Sequence, residues 1–382
     1  MLYPWLQPYF EQFLTSLKSG RLSSSVIIAG DYGLGGRYLA LQMAKTYLCP
    51  NKSDTGPCHQ CRSCQSFERL MNKDLKVAYS STLEESKKDY DFTYDCSGLM
   101  VRDSSAQARS LRIDTMRKIP EFIYEAPAGG VGKVVIIDNA ELMSTGAANA
   151  ILKTFEEPQV GTMIIMLTHS LEQLLPTILS RAVKIVLKEI DGQQALDFLL
   201  NKDYQKPMRI KRMDISADEH LSQEQKDIAA CPGLQTPIDL VRAQIALALN
   251  SYAPLSAMKM LLKGDDIKVL QALSALVRSI NTQDPYDLEV LTALEDLDKD
   301  TQVRLLRQLV LEILKYKAYV PIEQLPLVRY SQATCLERLS AEHLFEAYDM
   351  LSHLEDRPGL IAARAPRALM RVWLQAFKAD MK

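Results

Sequence analysis

The sequence predicts an α/β protein, with a parallel sheet between helices in the first half of the chain and an all-helical second half. Continuous apolar runs at Ser25–Ala29, 133–138 and Thr162–Thr168 are typical of strands that are buried on both faces of a parallel sheet. Between these runs lie segments whose apolar residues recur at helical spacing. Beyond about residue 240 the runs stop and only helical spacing remains.

The first half alternates strands and helices. Ser25–Ala29 leads directly into a glycine-rich segment, and apolar residues at helical spacing then predict a helix over 37–48. After the other two runs, a short apolar run at 183–187 predicts one more strand. Residues 80–112 and 201–227 are polar and charged without helical periodicity, so we expect inserted loops there.

The second half carries amphipathic helices. Apolar residues at helical spacing predict one helix over 267–280 and another over 303–314. Two further helices are expected at 341–354 and 360–378. These stripes indicate packing between helices rather than chemistry.

Residues 30–37 read Gly-Asp-Tyr-Gly-Leu-Gly-Gly-Arg, the glycine frame of a phosphate-binding loop without its reactive side chains. The working pattern G-x-x-x-x-G-K-[ST] cradles phosphates with backbone N–H groups, reaches them with lysine and holds Mg²⁺ with a hydroxyl. Gly30, Gly33 and Gly35 stand at the frame positions, whereas Gly36 replaces the lysine and Arg37 the hydroxyl residue. We therefore expect that ATP and Mg²⁺ are not bound productively here.

Other residues at the same predicted sheet edge extend this degenerate site. Asp138 ends a strand, where a carboxylate holds Mg²⁺ in working nucleotide hydrolases. Asn139 follows it, and an amide cannot act as a base; we expect the nearby Glu141 to point elsewhere. Because the carboxyl ends of parallel strands meet at one edge, Gly30, Asp138 and Thr168 are predicted to lie together.

Four clustered cysteines predict a metal site. Cys49, Cys58, Cys61 and Cys64 have the spacing C-x8-C-x2-C-x2-C, which can supply a tetrahedral shell for Zn²⁺. Four protein ligands leave no open coordination position, so the zinc would be structural. An iron–sulfur cluster is the rival metal group, but the C-x2-C-x2-C-x3-C-P run is absent. The four thiols could also carry no metal, or His59 could replace one cysteine as a ligand.

The composition excludes several functional classes. Hydrophobic residues make up 47% and charged residues 24% of the chain, as in ordinary globular proteins. The net charge of −2 provides no bulk attraction to nucleic acid or to an anionic membrane. The first residues lack a basic segment followed by an apolar run, and no apolar run is long enough to span a bilayer. We expect a cytoplasmic protein.

Two segments carry a resemblance to a known family. Residues 147–158, Ala-Ala-Asn-Ala-Ile-Leu-Lys-Thr-Phe-Glu-Glu-Pro, closely resemble the Asn-Ala-Leu-Leu-Lys-Thr-Leu-Glu-Glu-Pro segment of bacterial clamp-loader subunits, which are AAA+ proteins. Ser180-Arg181 matches the Ser-Arg-Cys motif of that family, with Ala182 in place of the cysteine. Thr168 then occupies the family's sensor-1 position.

Within the clamp loaders, the resemblance narrows to the delta-prime type. The opening residues 3–8, Tyr-Pro-Trp-Leu-Gln-Pro, are similar to those of delta-prime subunits, and the four cysteines are shared with delta-prime and gamma/tau subunits. The degenerate loop separates this type from the motor subunits, which keep Gly-Lys-Thr. The resemblance covers about residues 1–190; the 80–112 insert and the Ser24-Ser25 pair depart from it.

The resemblance implies a domain plan: an AAA+ domain over 1–168 with the zinc module at 49–64 and the insert at 80–112, a lid domain over 169–245, and a helical collar over 246–382. It also implies partners, namely gamma/tau and delta subunits and, through the complex, the beta sliding clamp and primed DNA. The chain itself would catalyse no reaction within the polymerase holoenzyme.

The resemblance also implies a role for Arg181. In this family an arginine supplied in trans reaches the ATP site of the adjacent motor subunit, where a guanidinium can stabilise the charge on the transferring phosphoryl group. The competing interpretation is an ordinary surface arginine at a helix end.

Two different functions stay open on the sequence alone. The chain could be an ATP-hydrolysing motor subunit that uses Arg37 or Lys45 in place of the lost lysine, or a zinc-dependent DNA-binding module. A dinucleotide-dependent oxidoreductase is poorly supported, because Tyr38 stands where the third glycine of that fingerprint belongs.

Overall fold

The computed structural model of the chain describes residues 2–31, 33–68, 72–78, 100–101, 111, 113–202, 232–282, 288–331 and 339–355. The chain divides into two compact units, an α/β unit within residues 1–190 and a helical unit within residues 191–382. Most of the predicted loops at 80–112 and 201–227, and the predicted helix at 360–378, lie outside the described residues.

Strands and helices alternate in the α/β unit, as the sequence predicts. The described elements are the strands β1 (Ser25–Ala29), β2 (Leu75–Ala78), β3 (Met100–Val101), β4 (Lys133–Ile137), β5 (Thr162–Thr168) and β6 (Val183–Val186), and the helices α1 (Gln7–Lys18), α2 (Gly36–Tyr47), α3 (Arg62–Glu68), α4 (Ile113–Tyr124), α5 (Thr145–Glu156) and α6 (Pro176–Leu179).

The strands form one parallel sheet in the order β3-β2-β4-β5-β1-β6. The α/β parallel-sheet prediction is confirmed. Every residue of β1, β4 and β5 is buried, which explains their continuous apolar sequences. β6 differs because it lies at the sheet edge, and its Val183 and Val186 side chains are 50% and 52% exposed.

Helix α5 carries the segment that resembles clamp loaders. Ser144 caps its first turn by accepting a hydrogen bond from the Ala147 N–H at 3.2 Å. Ala147 and Ala148 are buried in the core cluster that also contains Phe122 of α4. The small residues of this helix therefore allow close packing within the unit.

The helical unit contains only helices among its described residues, as expected for the second half of the chain. They are α7 (Gly192–Leu200), α8 (Leu240–Leu249), α9 (Pro254–Lys263), α10 (Asp265–Thr282), α11 (Leu288–Glu295), α12 (Lys299–Lys317), α13 (Pro326–Ser331) and α14 (Ala341–Glu355). None of the helices described in either unit is both long and apolar enough to cross a membrane.

A buried ion pair ties two helices of this unit together. Nε of Arg242 lies 2.5 Å from Oδ2 of Asp266, and both side chains are almost fully buried. The guanidinium also donates to the Gly233 carbonyl oxygen at 3.1 Å, so the buried charges are hydrogen-bonded as well as paired.

The three-part domain plan stays a prediction. β6 pairs with β1, so the sheet continues beyond residue 168, where the plan places the start of the lid. The division into 1–168, 169–245 and 246–382 does not coincide with the two compact units.

Candidate functional site

The glycine loop connects β1 to α2 at the carboxyl edge of the sheet. Gly33 and Gly35 have φ values of 84° and 92°, in the left-handed region that favours glycine, and Gly35 is the N-cap of α2. The Gly30 N–H donates to the Thr168 carbonyl oxygen at 3.1 Å. A Cβ at Gly30 would lie 2.8 Å from the Leu187 Cβ, so the chain packs closely there. The described glycines therefore have the backbone conformations and the close packing that favour glycine at these positions.

An internal ion pair lies where the sequence predicts a lost metal site. The Arg37 guanidinium, on the first turn of α2, pairs with the Asp138 carboxylate at the end of β4. Asp138 is buried, and 24% of the Arg37 side chain is exposed. A carboxylate that would hold Mg²⁺ in a working site is thus neutralised by the side chain that replaces the hydroxyl residue.

His169 joins the loop to Glu141. Its Nδ1 lies 3.1 Å from the Gly30 carbonyl oxygen, and its Nε2 lies 3.5 Å from Oε1 of Glu141. Glu141 is therefore connected to the loop through His169, while the expectation that it does not take the place of the lost base stays a prediction. Burial lowers the pKa of His169, although Glu141 acts in the opposite direction, so we expect a neutral imidazole at pH 7. Sequence reasoning missed His169, and only its place after a strand end could have drawn attention to it.

The Thr168 side chain is engaged with its own loop. Its Oγ1 donates to the Ser170 carbonyl oxygen at 3.0 Å and accepts from the Ser170 N–H at 3.3 Å. The structure therefore brings Gly30, Asp138 and Thr168 to one edge, as predicted, while their nucleotide-facing roles stay predictions.

Aromatic residues near the start of the chain support the loop. Nε1 of Trp5 donates to the Leu34 carbonyl oxygen at 2.8 Å. The Tyr3 ring stacks on Trp5 with centroids 5.0 Å apart and lies 4.9 Å from the Tyr38 ring on α2. These contacts connect the first residues of the chain to the loop and to α2.

The four predicted metal ligands converge. The Sγ atoms of Cys49, Cys58, Cys61 and Cys64 all lie within 4.8 Å of one another, and Cys49 is 3.5 Å and 3.8 Å from Cys58 and Cys61. Zinc–sulfur bonds of about 2.3 Å in a tetrahedron require sulfur atoms roughly 3.8 Å apart. The cluster could therefore hold a metal ion.

Backbone N–H groups favour a thiolate at Cys58, whereas burial raises the pKa of Cys49 and of Cys64. The Cys61 N–H donates to the Cys58 sulfur at 3.3 Å, and the Cys64 N–H donates to the Cys61 sulfur at 3.4 Å. Hydrogen bonds from the Gln60 and Cys61 backbone lower the pKa of Cys58 to about 6. A thiolate is the form that binds a metal.

His59 is turned toward a different partner. Its Nδ1 lies 3.0 Å from Nζ of the buried Lys45, which also pairs with Glu68 of α3. The four cysteines therefore form a complete ligand set without His59.

Arg181 lies between α6 and β6 at the surface of the unit. Its Nη1 donates to the Thr177 carbonyl oxygen at 2.9 Å and to the Ser180 hydroxyl at 3.2 Å. Its Nε lies 2.9 Å from Oε1 of Glu156, and the Arg181 and Glu156 side chains are 41% and 39% exposed. Among the described residues we find no hydrogen bond from Nη2.

Comparison with known proteins finds similar proteins in one family. Residues 6–191 match the family described as DNA polymerase III, delta subunit. The delta-prime subunit of DNA polymerase III from Pseudomonas aeruginosa is 30% identical to this chain, over 48% of this chain and 48% of that protein. The delta-prime subunit from Escherichia coli is also 30% identical, over 52% of this chain and 52% of that protein. The Yersinia pestis delta-prime subunit is 26% identical over 86% of this chain and 82% of that protein. Gamma and tau subunits also match.

The matches to the first two relatives span about half of their length. The family match over residues 6–191 lies in the α/β unit except for its last residue, and this unit carries the degenerate loop, the cysteine cluster and Arg181. Through residues 6–191, the chain is similar to the family of DNA polymerase III subunits described above, and its curated relatives include delta-prime subunits.

Proposed function

We propose that this chain is a non-hydrolysing, delta-prime-type subunit of a clamp loader. It would assemble with gamma/tau and delta subunits in the cytoplasm and help place the beta clamp on primed DNA. The observation that carries the proposal is the Arg37–Asp138 ion pair, because it would take the place of metal binding in a loop whose sequence has also lost its lysine. The similarity to the delta-prime and gamma/tau subunits supports the proposed assembly partners.

The cysteine cluster would hold structural zinc in this subunit. The sulfur separations suit a tetrahedral zinc–thiolate site, and the C-x2-C-x2-C-x3-C-P run of ferredoxin-type iron–sulfur proteins is absent. Four protein ligands leave no position for a reacting water, so the metal would stabilise the segment around α3.

Arg181 would act on a nucleotide held by the neighbouring subunit. Its side chain is partly exposed, and its Nη2 makes no hydrogen bond within the described residues. The Nη2 amino group can donate to a phosphate oxygen, and the delocalised positive charge of the guanidinium stabilises a phosphoryl group in transfer. This chain would therefore contribute to hydrolysis without binding the nucleotide itself.

Arg181→Ala tests this role in a reconstituted complex of gamma/tau, delta and this chain. We expect a lower DNA-stimulated ATPase rate, because the adjacent site loses a group that can be worth about 10³–10⁵ in rate. The measurement is single-turnover and steady-state ATP hydrolysis, with complex assembly checked by gel filtration.

Two further variants sharpen the experiment. Arg181→Lys keeps the charge but loses the planar fork, so its rate should fall between those of the parent and the alanine variant. Arg21→Ala removes another exposed arginine and should leave the rate unchanged. An unchanged ATPase rate in Arg181→Ala complexes that assemble normally would exclude the proposed role.

A further inference from the structure

We infer that Glu156 is the positioning residue for Arg181, a role that rests on the proposed function. The Glu156 carboxylate pairs with Nε of Arg181 at 2.9 Å, while Nη1 is bound to the Thr177 carbonyl oxygen. Two sides of the guanidinium are thus held within this chain. The Nη2 side is left to meet a phosphate.

The backbone that carries Glu156 is packed against the core. Glu156 is the last residue of α5, and the preceding Phe155 is buried at 1% exposure. The Phe155 carbonyl oxygen accepts a buried hydrogen bond of 3.0 Å from Oγ of Ser25, the first residue of β1. The end of the helix is therefore fixed to the sheet, so Glu156 starts from a rigid backbone.

The backbone that carries Arg181 is held by the same strand, β1. Leu179 and Ala182, on either side of the Ser180-Arg181 pair, pack against the core cluster. Val183 then begins β6 and lies opposite Val26 of β1 in the sheet. Ser25 and Val26 are adjacent in sequence, so neighbouring residues of one strand set the positions of the two partners.

The partial exposure of the Glu156–Arg181 pair suits a role of Glu156 in positioning Arg181 rather than in neutralising its charge. Both side chains are partly exposed, so solvent screens the pair and its contribution to folding stability is small. Its effect on a phosphate that approaches Arg181 is larger, because a guanidinium held in one orientation loses less freedom when it meets the transferring group. Glu156 would therefore act on the rate of hydrolysis more than on nucleotide affinity.

Glu156→Ala in the complete clamp-loader complex tests the inference. We expect kcat for DNA-stimulated ATP hydrolysis to fall by roughly 3- to 10-fold with little change in KM, as when an interaction made in the transition state is weakened. Glu156→Gln keeps an acceptor oxygen for Nε and should recover part of the rate. Glu157→Ala, the loss of an adjacent exposed carboxylate, is the matched control and should match the parent.

A double-mutant cycle separates positioning from a general structural effect. In an Arg181→Ala background, Glu156→Ala should cause no further loss, because the residue it positions is gone. Equal losses in both backgrounds, an unchanged kcat or a faster reaction in Glu156→Ala would overturn the inference. If Arg181→Ala alone has no effect, the proposed function fails instead, which is a distinguishable result. Thermal unfolding of each isolated variant checks that the chain is folded.

Discussion

At the scale of single residues, the site is defined by Arg37. The lost lysine and hydroxyl could be predicted from the glycine spacing. The ion pair with Asp138 could not, because 101 residues separate the partners and the contact depends on how α2 and β4 meet at the sheet edge. The contact between His169 and Glu141 was missed for the same reason. Local patterns report the missing groups, and the fold decides which group takes their place.

The Arg37–Asp138 pair leads to a prediction about nucleotide binding. The isolated chain should bind no Mg²⁺–ATP in equilibrium dialysis at micromolar nucleotide, because Asp138 is already neutralised and no loop lysine reaches a phosphate. Micromolar affinity with turnover would instead support a motor subunit.

Restoring the loop gives a stricter comparison. Gly36→Lys alone leaves Arg37 on Asp138 and should remain without Mg²⁺-dependent binding. Combined with Arg37→Thr, it supplies both the lysine and the metal-binding hydroxyl, and we expect measurable Mg²⁺-dependent ATP binding. Equal binding by the single and double variants would show that the ion pair is not what excludes the metal.

At the scale of elements, the sequence was most informative where a strand is fully buried. The runs that became β1, β4 and β5 are continuous and apolar because both sheet faces are covered. β2 was missed because it is only four residues long and contains Lys76, whose ammonium lies 4.5 Å from the Phe122 ring centroid. A lysine whose aliphatic stem packs against an aromatic ring still counts as a polar residue when strands are predicted from apolar runs.

Helices α12 and α13 are joined by a buried carboxylate, which makes the helical unit sensitive to pH. Oε2 of Glu312 accepts hydrogen bonds from the Leu327 and Val328 N–H groups, at 2.8 and 3.2 Å, in the first turn of α13. Burial nevertheless raises the pKa of Glu312 to about 7. The folded state therefore favours the protonated form, and the stability linked to this proton is present below the unfolded-state pKa and lost as the pH rises through about 7.

Glu312→Gln should remove this dependence. The difference in unfolding free energy between the parent and the variant should change between pH 5 and pH 8 by up to about 3 kcal/mol, with the parent losing stability as the pH rises. Denaturant unfolding at the two pH values measures it. Glu323→Gln, at an exposed position, is the control and should show a constant difference. The same constancy for Glu312→Gln would contradict the assignment.

At the scale of the whole molecule, the two units differ in how much the sequence could say about them. The α/β unit carries loops, cysteines and motifs whose spacing has chemical meaning, and the family match lies within it except for its last residue, 191. The helical unit shows only packing stripes, which predicted α10, α12 and α14 but missed the shorter helices α7, α8, α9, α11 and α13. The buried Arg242–Asp266 pair could not be predicted either. Helical periodicity records which face is apolar and not which polar groups meet inside.

Because each unit has its own core, loss of zinc should affect one unit more than the other. Cys58→Ser removes one partly exposed ligand and should lower the zinc content below one ion per chain and the unfolding temperature of the α/β unit. Zinc analysis and calorimetry on the same sample measure both. His59→Ala should keep the zinc, since His59 contacts Lys45 instead. A parent protein without zinc would contradict the assignment.

The Arg37–Asp138 pair also has a consequence for timing. Its positive group is covalently part of the chain, so unlike a bound metal ion it cannot be diluted away. A loop filled in this way has one chemical state throughout a reaction cycle. Within the proposed assembly this subunit would not pass through nucleotide states of its own. The order of events would be set entirely by the nucleotides bound to its neighbours.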